Sequence, residues 1–154
     1  MTEINKEKMT AQMDHEFVVF LIGMRINKPW KVHKWLPVVM AMQRMITELR
    51  QKPELGFLHH ESWLGRTSIM VQYWQSFEHL EQYAVNKDAR HVPAWLEFNN
   101  RIRANADVGI WHETYLSGQG RYECVYTNMP PFGLGKAGRL IPAVDRYHTA
   151  RGRM

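Results

Sequence analysis

The sequence predicts an α+β protein built on one ferredoxin-like βαββαβ unit, followed by an irregular C-terminal extension. Two observations lead to this fold class. Four segments have the composition of strands, and stretches with helical apolar spacing separate them in the order strand, helix, strand, strand, helix, strand. The length of 154 residues suits one domain with its own core. We expect a polar N-terminal segment (1–16), the ferredoxin-like domain (17–118) and the C-terminal extension (119–154).

The first strand and the first helix are predicted from the residues that follow the N-terminal segment. Residues 17–26 form an apolar run rich in β-branched and aromatic side chains, and the run ends at Asn27 and Pro29, which are typical of a turn. Apolar side chains then recur at steps of three and four over residues 31–51, the spacing of one helical face. Because Pro37 lies early in this stretch and lacks a backbone N–H, we expect the continuous helix to begin near it.

A hairpin and a helix are predicted next. Residues 55–64 and 67–75 have the composition of two strands, and Gly65 lies between them where a hairpin turn is expected. Ser76 then occupies the position of a helix N-cap, with the acidic Glu78 in the first turn. The sequence therefore predicts a short helix directly after the hairpin.

The last part of the unit consists of a further helical stretch and a final strand. Residues 91–104 carry apolar side chains at helical spacing, and residues 107–116 are predicted to form the last strand. The extension that follows contains two adjacent prolines and three glycines between positions 130 and 138. These residues interrupt helices and strands, so we expect no single long element in the extension.

Both faces of the first predicted strand are apolar, which predicts a partner. Phe17, Val19 and Leu21 point to one face, and Val18, Phe20, Ile22 and Met24 point to the other. Two helices can cover one face of a four-stranded sheet, so the other face needs a second sheet, most simply from an identical subunit. The sequence therefore predicts a homodimer, with the space between the two sheets as the expected pocket.

Composition and charge exclude several classes of function. The formal net charge of +5 arises mostly from the tail, where six basic and two acidic residues follow position 119, and no nucleic-acid-binding motif accompanies them. Cys124 is the single cysteine of the chain, which excludes an internal disulfide and suits a reducing compartment. The first apolar run is too short to cross a membrane and follows no signal-like pattern. We therefore predict a cytoplasmic protein with a small-molecule substrate and with neither nucleic acid nor membrane as a partner.

Three adjacent ionisable residues on the second predicted strand are candidate catalytic groups: His59, His60 and Glu61. Successive side chains of a strand leave opposite faces, so His59 and His60 are not expected to bind one metal ion. His59 is expected to share a face with Phe57, Glu61 and Trp63, and His60 with Leu58, Ser62 and Leu64. A half-buried histidine bonded to a neighbour fits the same pattern, and no metal site is predicted.

The last strand repeats this mixture of aromatic and ionisable residues. His112 is expected on one face with Ile110 and Thr114, whereas Trp111, Glu113 and Tyr115 are expected on the other. His112 is a further catalytic candidate. The large aromatic side chains of Trp63, Tyr73, Trp74 and Trp111 suit the walls of a pocket for an aromatic or polyketide-like ligand, or for a porphyrin. An ordinary hydrophobic core would use the same residues.

His91 has the strongest case for a chemical role. It follows a polar break in the chain and starts a predicted helix, where an imidazole that faces a cavity could orient a substrate hydroxyl, act as a general base or ligate haem iron. A residue at a helix start that bonds backbone or solvent would give the same pattern. Neither a glycine-rich phosphate loop nor a hydrolase triad pattern is found, so nucleotide-dependent and hydrolase functions are not predicted.

With these residues placed, the chain resembles the antibiotic-biosynthesis-monooxygenase-like proteins of the dimeric α+β barrel superfamily. Within residues 17–116, the resemblance is carried by Gly56, Phe57, Glu61, Trp63, Tyr73, Trp74, Gln75, Ser76, Glu78, Leu80, His91 and Trp95. The tail over residues 122–135 is similar to a subgroup of uncharacterised bacterial proteins and fungal secondary-metabolism monooxygenases.

The resemblance implies a dimeric α+β barrel in which each subunit oxygenates a small organic molecule, often with neither metal nor flavin. The enolate or phenolate of the substrate supplies electrons to oxygen, so the protein need only deprotonate the substrate and keep it dry. His91 would be the base or orienting group. Further polar candidates are His59, His60, Glu61 and His112, and the pocket would be shaped by Trp63, Tyr73, Trp74 and Trp111. No cofactor is required in this interpretation.

Two alternatives remain open from the sequence. A second branch of the same superfamily binds haem, and His91 is placed much like the helix histidine that ligates iron in the haem degraders. Their first-strand asparagine is not matched, because Met24 precedes Arg25 where it is expected, which argues against haem breakdown. The first alternative is therefore a haem protein with His91 as axial ligand, and the second is a small-molecule-binding module without catalytic turnover.

Overall fold

The computed structural model describes residues 3–86 and 106–154, and its largest element is a four-stranded antiparallel sheet. The strands are β1 (Met9–Gln12), β2 (Phe17–Ile26), β3 (Phe57–Trp63), β4 (Ile69–Trp74), β5 (Val108–Ser117) and β6 (Arg139–Pro142). The α-helices are α1 (Val32–Gln51), α2 (Phe77–Val85), α3 (Leu134–Ala137) and α4 (Ala150–Arg153), and 3₁₀ turns span Pro53–Leu55 and Asp145–His148.

The sheet has the strand order and connections of a ferredoxin-like unit. Its strands are arranged β3-β4-β2-β5, and each neighbouring pair is antiparallel. Along the chain the elements follow the order β2-α1-β3-β4-α2-β5. The predicted α+β class and the βαββαβ order are therefore confirmed.

The first helix starts earlier than the sequence predicts. The α1 helix begins at Val32 and contains Pro37 in its interior, so the expectation that the continuous helix begins near Pro37 is wrong. A backbone hydrogen bond from Lys34 to Lys31 closes a turn before the proline is reached. The proline lacks an N–H for the carbonyl four residues earlier, but this loss falls close to the helix start, where it is tolerated better than in the middle.

The second helix begins where its capping residue predicts. Ser76 is the N-cap of α2, and its Oγ accepts a hydrogen bond from the backbone N–H of His79 at 3.3 Å. The helix directly follows β4, which ends at Trp74. The strand, the cap and the helix therefore occur in the predicted order.

A β-bulge in β3 changes which residues of this strand share a face. Phe57 is paired with Trp74, but His59 is paired with Tyr73, so the register shifts between them. Phe57 consequently belongs to the helix-covered core, and Leu58 packs on the opposite side of the sheet near Tyr73. The predicted grouping of Phe57 with His59, and of Leu58 with His60, is wrong because strict alternation does not account for the extra residue of a bulge.

The main core lies between the sheet and the two helices. Its buried members are Val18, Ile46, Leu49, Phe57, Met70, Trp74, Leu80 and Tyr83. Alternation along β2 places Phe20 and Ile22 on the same side of the sheet as Val18, and both pack against this cluster. The two helices therefore cover one face of the sheet, as the sequence predicts, and the structure shows that it is the face of Val18, Phe20 and Ile22.

Part of the opposite face is covered by the ends of the same chain. The strands β1 and β6 form an antiparallel ribbon, although neither was predicted from the sequence. Ala11 and Met13 are buried with Phe17 and Leu134 in a second cluster, against which Tyr73 packs. The N-terminal segment that was predicted as polar therefore contains buried apolar residues, and the first predicted strand is the second strand of the structure.

One predicted element and one candidate residue cannot be compared with the structure. The helix predicted over 91–104 and the candidate His91 lie outside the described residues. Within the described residues, no helix combines the length and the apolar character needed to cross a membrane.

Candidate functional site

A cavity of about 480 Å³ lies between the sheet and the helices α1 and α2. Its sheet side is lined by Phe20, Ile22, Met24, Met70, Gln72, Ile110, His112 and Thr114, and its helix side by Val38, Ala41, Met42, Met45, Leu80 and Ala84. Most of these side chains are aliphatic or aromatic, and few are polar. The size and the apolar lining are those of a small-molecule site.

The strand register explains which side chains reach this cavity. On β5, Thr114, His112 and Ile110 are paired with Phe20, Ile22 and Met24 of β2. Directly paired residues of antiparallel strands share a face, so all six side chains lie on the helix side. The cavity is therefore on the opposite side of the sheet from the inter-sheet space in which the sequence placed the pocket.

Of the candidate catalytic residues in the described part of the chain, the structure places His112 at the cavity. Its ring centroid lies 5.7 Å from that of Phe20 on the neighbouring strand. The imidazole belongs to an exposed stretch of β5 and is accessible to solvent. An imidazole in this position can act as a hydrogen-bond donor or acceptor for a bound molecule.

Gln72 is a cavity-lining residue that the sequence analysis missed. Its side chain is fully buried (0% exposed), and it lies on the inner strand β4 between Met70 and Trp74. Its Oε1 accepts a hydrogen bond from Trp74 Nε1 at 2.9 Å, and its Nε2 donates to Met70 Sδ at 3.2 Å. The signal in the sequence is an amide at an inward position of an apolar strand, which is unusual without a polar partner.

His60 lies beside Gln72 in the sheet. The two residues are paired between β3 and β4 and therefore share a face. Within the described part of the chain, His60 Nδ1 is buried without a hydrogen-bond partner. Burial lowers the pKa of His60 below its ordinary value, and the nearby Arg50 and His59 act in the same direction. The imidazole is therefore neutral at physiological pH, which lets its ring nitrogens both donate and accept.

His59 and Glu61 are brought together on the opposite face of the sheet, away from the cavity. His59 Nε2 lies 2.9 Å from Glu61 Oε1. The same oxygen accepts hydrogen bonds from the backbone N–H of Gly133 at 3.2 Å and from Lys136 Nζ at 3.4 Å. Partial burial alone would raise the pKa of Glu61, but the hydrogen bonds from His59 and Gly133 and the charge of Lys136 lower it overall. This pair therefore holds the C-terminal extension against β3.

Tyr73 and Trp63 also contact the C-terminal extension. A Cβ atom at Gly133, where φ is +54°, would lie 3.0 Å from the Tyr73 hydroxyl, so a larger residue would crowd the tyrosine. Burial raises the pKa of Tyr73 above its ordinary value, and the charge of Glu61 adds to this effect. The ring of Trp63 packs edge-on to Phe132 at 6.1 Å and also borders the cavity. Of these two aromatic candidates, Trp63 therefore contacts both the C-terminal extension and the cavity.

Trp74 and Trp111 are placed on different faces of the sheet. Trp74 is buried beneath the cavity and packs edge-on to Phe57 at 5.3 Å. Trp111 donates from Nε1 to the backbone carbonyl of Ser68 at 3.3 Å, and it crosses β2 at Gly23. The predicted aromatic walls therefore do not form one pocket.

The metal-ligating residue types do not form a cluster in the described part of the chain. Within residues 3–86 and 106–154, no three histidine, cysteine, aspartate or glutamate side chains are placed so that they could share a metal ion. The rings of His59 and His60 are 6.0 Å apart and belong to different faces of the sheet.

Comparison with known proteins identifies the family. A family model described as "Monooxygenase af470-like" matches residues 17–134, which is more than half of the chain. The "Monooxygenase af470" of Aspergillus fumigatus is 31% identical over 132 residues, which are 77% of this chain and 45% of that protein. The chain thus spans less than half the length of this relative.

Two solved structures show a weaker likeness. The cofactor-independent oxygenase SnoaB from Streptomyces nogalater is 14% identical with a TM-score of 0.45, over 68% of this chain and 95% of that chain. A possible oxidoreductase of unknown function from Bacteroides thetaiotaomicron is 12% identical with a TM-score of 0.45, over 66% of this chain and 98% of that chain. Likenesses of this size add nothing to the fold described above. The sequence resemblance to monooxygenase-like proteins is confirmed by the family match, and the chain belongs to the Monooxygenase af470-like family.

Proposed function

We propose that the protein is a monooxygenase-type oxidoreductase that acts on a small apolar molecule, aromatic or polyketide-like, bound between the sheet and the helices α1 and α2. The observation that carries the proposal is the apolar cavity of about 480 Å³ in a chain of this family. Cavities of roughly 300–1,000 Å³ with a few polar groups are typical of small-molecule sites.

The proposed reaction needs no cofactor. The deprotonated substrate supplies the electrons to dioxygen, and the protein removes the proton and excludes water. Conversion of a CH₂ group to a carbonyl by one dioxygen molecule, with release of one water, balances without an external reductant. The cavity suits this chemistry because most of its lining is apolar, which favours an apolar substrate over water beside the reacting carbon.

In this proposal the polar residues have two different roles. His112 faces the cavity and orients the substrate, and His91 remains the proposed base, although it lies outside the described residues. His59 and Glu61 face the other side and fasten the C-terminal extension. The distinction follows from the alternation of side chains along β3 and β5.

We also propose that the protein works as a homodimer. The face of the sheet opposite the helices is covered only in part by the chain ends, and Trp63 and Tyr115 on this face are 46% and 53% exposed. A second sheet would bury them. Analytical ultracentrifugation at micromolar concentration should give twice the mass of one chain, and a stable single subunit would contradict this part of the proposal. The cytoplasmic location also stays a prediction.

Oxygen uptake tests the proposed activity. Protein purified from cells supplemented with haem is mixed with 1-naphthol in an oxygen electrode, with heat-inactivated protein as the control. The proposal expects a colourless protein that accelerates oxygen uptake. A Soret band that disappears in His91→Ala would instead support the haem alternative, for which the described residues give no evidence. Tight binding of naphthol without any oxygen uptake would support the binding module.

A further inference from the structure

The side of β4 that faces the cavity consists of Met70, Gln72 and Trp74, and the middle residue carries a buried amide. The three side chains are 6%, 0% and 1% exposed. Burying an amide without strong hydrogen bonds costs free energy. The hydrogen-bond partners of the Gln72 amide therefore show whether this cost is offset.

The orientation of the Gln72 amide is fixed by Trp74. The indole N–H of Trp74 can only donate, so the atom 2.9 Å from it must be the amide oxygen Oε1. Nε2 then points away from Trp74 and towards Met70, whose Sδ it meets at 3.2 Å. The donor side of the amide is therefore the side next to the cavity-lining Met70.

The amide nitrogen of Gln72 has a weak partner. It carries two N–H donors, and within residues 3–86 and 106–154 its hydrogen bond goes to a thioether sulfur, which is a weak acceptor. An oxygen acceptor in the same place would bind the N–H more strongly.

A polar atom of the residue beside Gln72 has no hydrogen-bond partner among the described residues. His60 is the residue paired with Gln72 on β3, and its buried Nδ1 has no hydrogen bond in the described part of the chain. Two neighbouring polar side chains on the helix-covered face are therefore incompletely bonded. Buried polar groups are normally paired, so both side chains keep the capacity for a further hydrogen bond to a polar atom.

We propose that the Gln72 amide binds a neutral oxygen acceptor of the ligand, a carbonyl or hydroxyl oxygen, and that Met70 takes this place when the cavity is empty. The inference rests on the proposed function and deepens it by naming a residue that selects oxygenated molecules. Methionine is flexible, so its side chain can turn aside when an oxygen enters. Trp74 holds the amide in the orientation that presents the N–H.

The inference is tested with 2-naphthol and 2-methylnaphthalene, which differ by a hydroxyl in place of a methyl group. Isothermal titration calorimetry measures both affinities for the wild-type protein, Gln72→Met and Val71→Ala, a control on the opposite face of the same strand. Gln72→Met should lower the affinity for 2-naphthol by about three- to tenfold, the usual contribution of one hydrogen bond. It should not lower the affinity for 2-methylnaphthalene. Val71→Ala should change neither affinity.

Met70→Leu keeps the inference testable if Gln72→Met fails to fold. It conserves volume and removes the competing sulfur, so it should strengthen binding of 2-naphthol but not of 2-methylnaphthalene. If both probes bind the wild-type protein but 2-naphthol is unaffected by either substitution, the inference is overturned and the proposed function stands. If neither probe binds the wild-type protein, the proposed function fails and the inference fails with it.

Discussion

Gly23 gives the sharpest stability prediction, because Ser68, just before β4, and Trp111 of β5 both approach its backbone closely. A Cβ atom at this position would lie 2.0 Å from the carbonyl oxygen of Ser68 and 2.7 Å from Trp111 Nε1. Contacts under 3.0 Å are essentially never made by real Cβ atoms, so Gly23→Ala must push the Ser68 carbonyl back by roughly 1 Å. This carbonyl belongs to the backbone and has no other rotamer to adopt.

The displacement also breaks hydrogen bonds. The Ser68 carbonyl accepts from Trp111 Nε1 at 3.3 Å, and Ser68 donates from its backbone N–H to the Met24 carbonyl at 2.8 Å. Overpacking costs about 1–3 kcal/mol, and each lost hydrogen bond about 0.5–1.5 kcal/mol. We therefore expect Gly23→Ala to lower the free energy of unfolding by about 3 kcal/mol.

Urea unfolding followed by tryptophan fluorescence measures this change. The midpoint should fall while the slope stays the same, and the melting temperature should drop by about 6–12 °C. Gly65→Ala is the matched control, because its added Cβ meets only the Thr67 carbonyl oxygen, at 3.4 Å. A Gly23→Ala protein within about 0.5 kcal/mol of the wild type would refute the close approach of β2, Ser68 and Trp111.

Two further predictions concern the C-terminal extension. Glu61→Gln should weaken the contact with Gly133 and Lys136 and make the extension more sensitive to proteolysis at neutral pH. Because the pKa of Glu61 in the folded protein lies below its ordinary value, its stabilisation is fully present above the ordinary pKa and is lost as the pH falls through the folded pKa. Wild-type and variant stabilities should therefore converge in acid, and a constant difference would contradict this role. Truncation after Gly120 removes Leu134 and should expose Ala11, Met13 and Phe17, so the melting temperature should fall, and an unchanged temperature would show that the extension adds no stability.

The sequence predicted the ferredoxin-like unit because its signals are local. Ser76 caps α2, and the apolar run of residues 17–26 becomes β2 with both faces packed. The helix start predicted from Pro37 was wrong, because a proline is tolerated both at the first position of a helix and within its first turns.

Long-range pairing could not be predicted from the sequence. The β1 strand pairs with β6, so that Met9 lies opposite Pro142 far along the chain. The four-residue strands carry no periodicity long enough to identify them. The cover over Phe17 by the same chain was therefore not predicted, and it takes the place of part of the predicted partner sheet.

Strict alternation along a strand was not enough to predict which face of the sheet each candidate residue lies on. The bulge between Phe57 and His59 moved Leu58 to the other side of β3. The sequence also could not say which face of the sheet borders a cavity, because both faces of β2 are apolar. Gln72 was missed for a different reason, since its partners Met70 and Trp74 are recognisable only once they share a face.

The sidedness of β5 leads to a prediction that separates the two faces of the sheet. His112 faces the cavity, whereas Tyr115 lies on the other face and donates from its hydroxyl to Glu113 at 2.7 Å. Both residues are exposed, so His112→Phe and Tyr115→Phe should fold equally well. If the ligand binds on the helix side, only His112→Phe should change the affinity for 2-naphthol and the rate of oxygen uptake, because only that substitution removes a polar group from the cavity. The reverse result, with Tyr115→Phe impaired and His112→Phe normal, would place the substrate between two sheets instead.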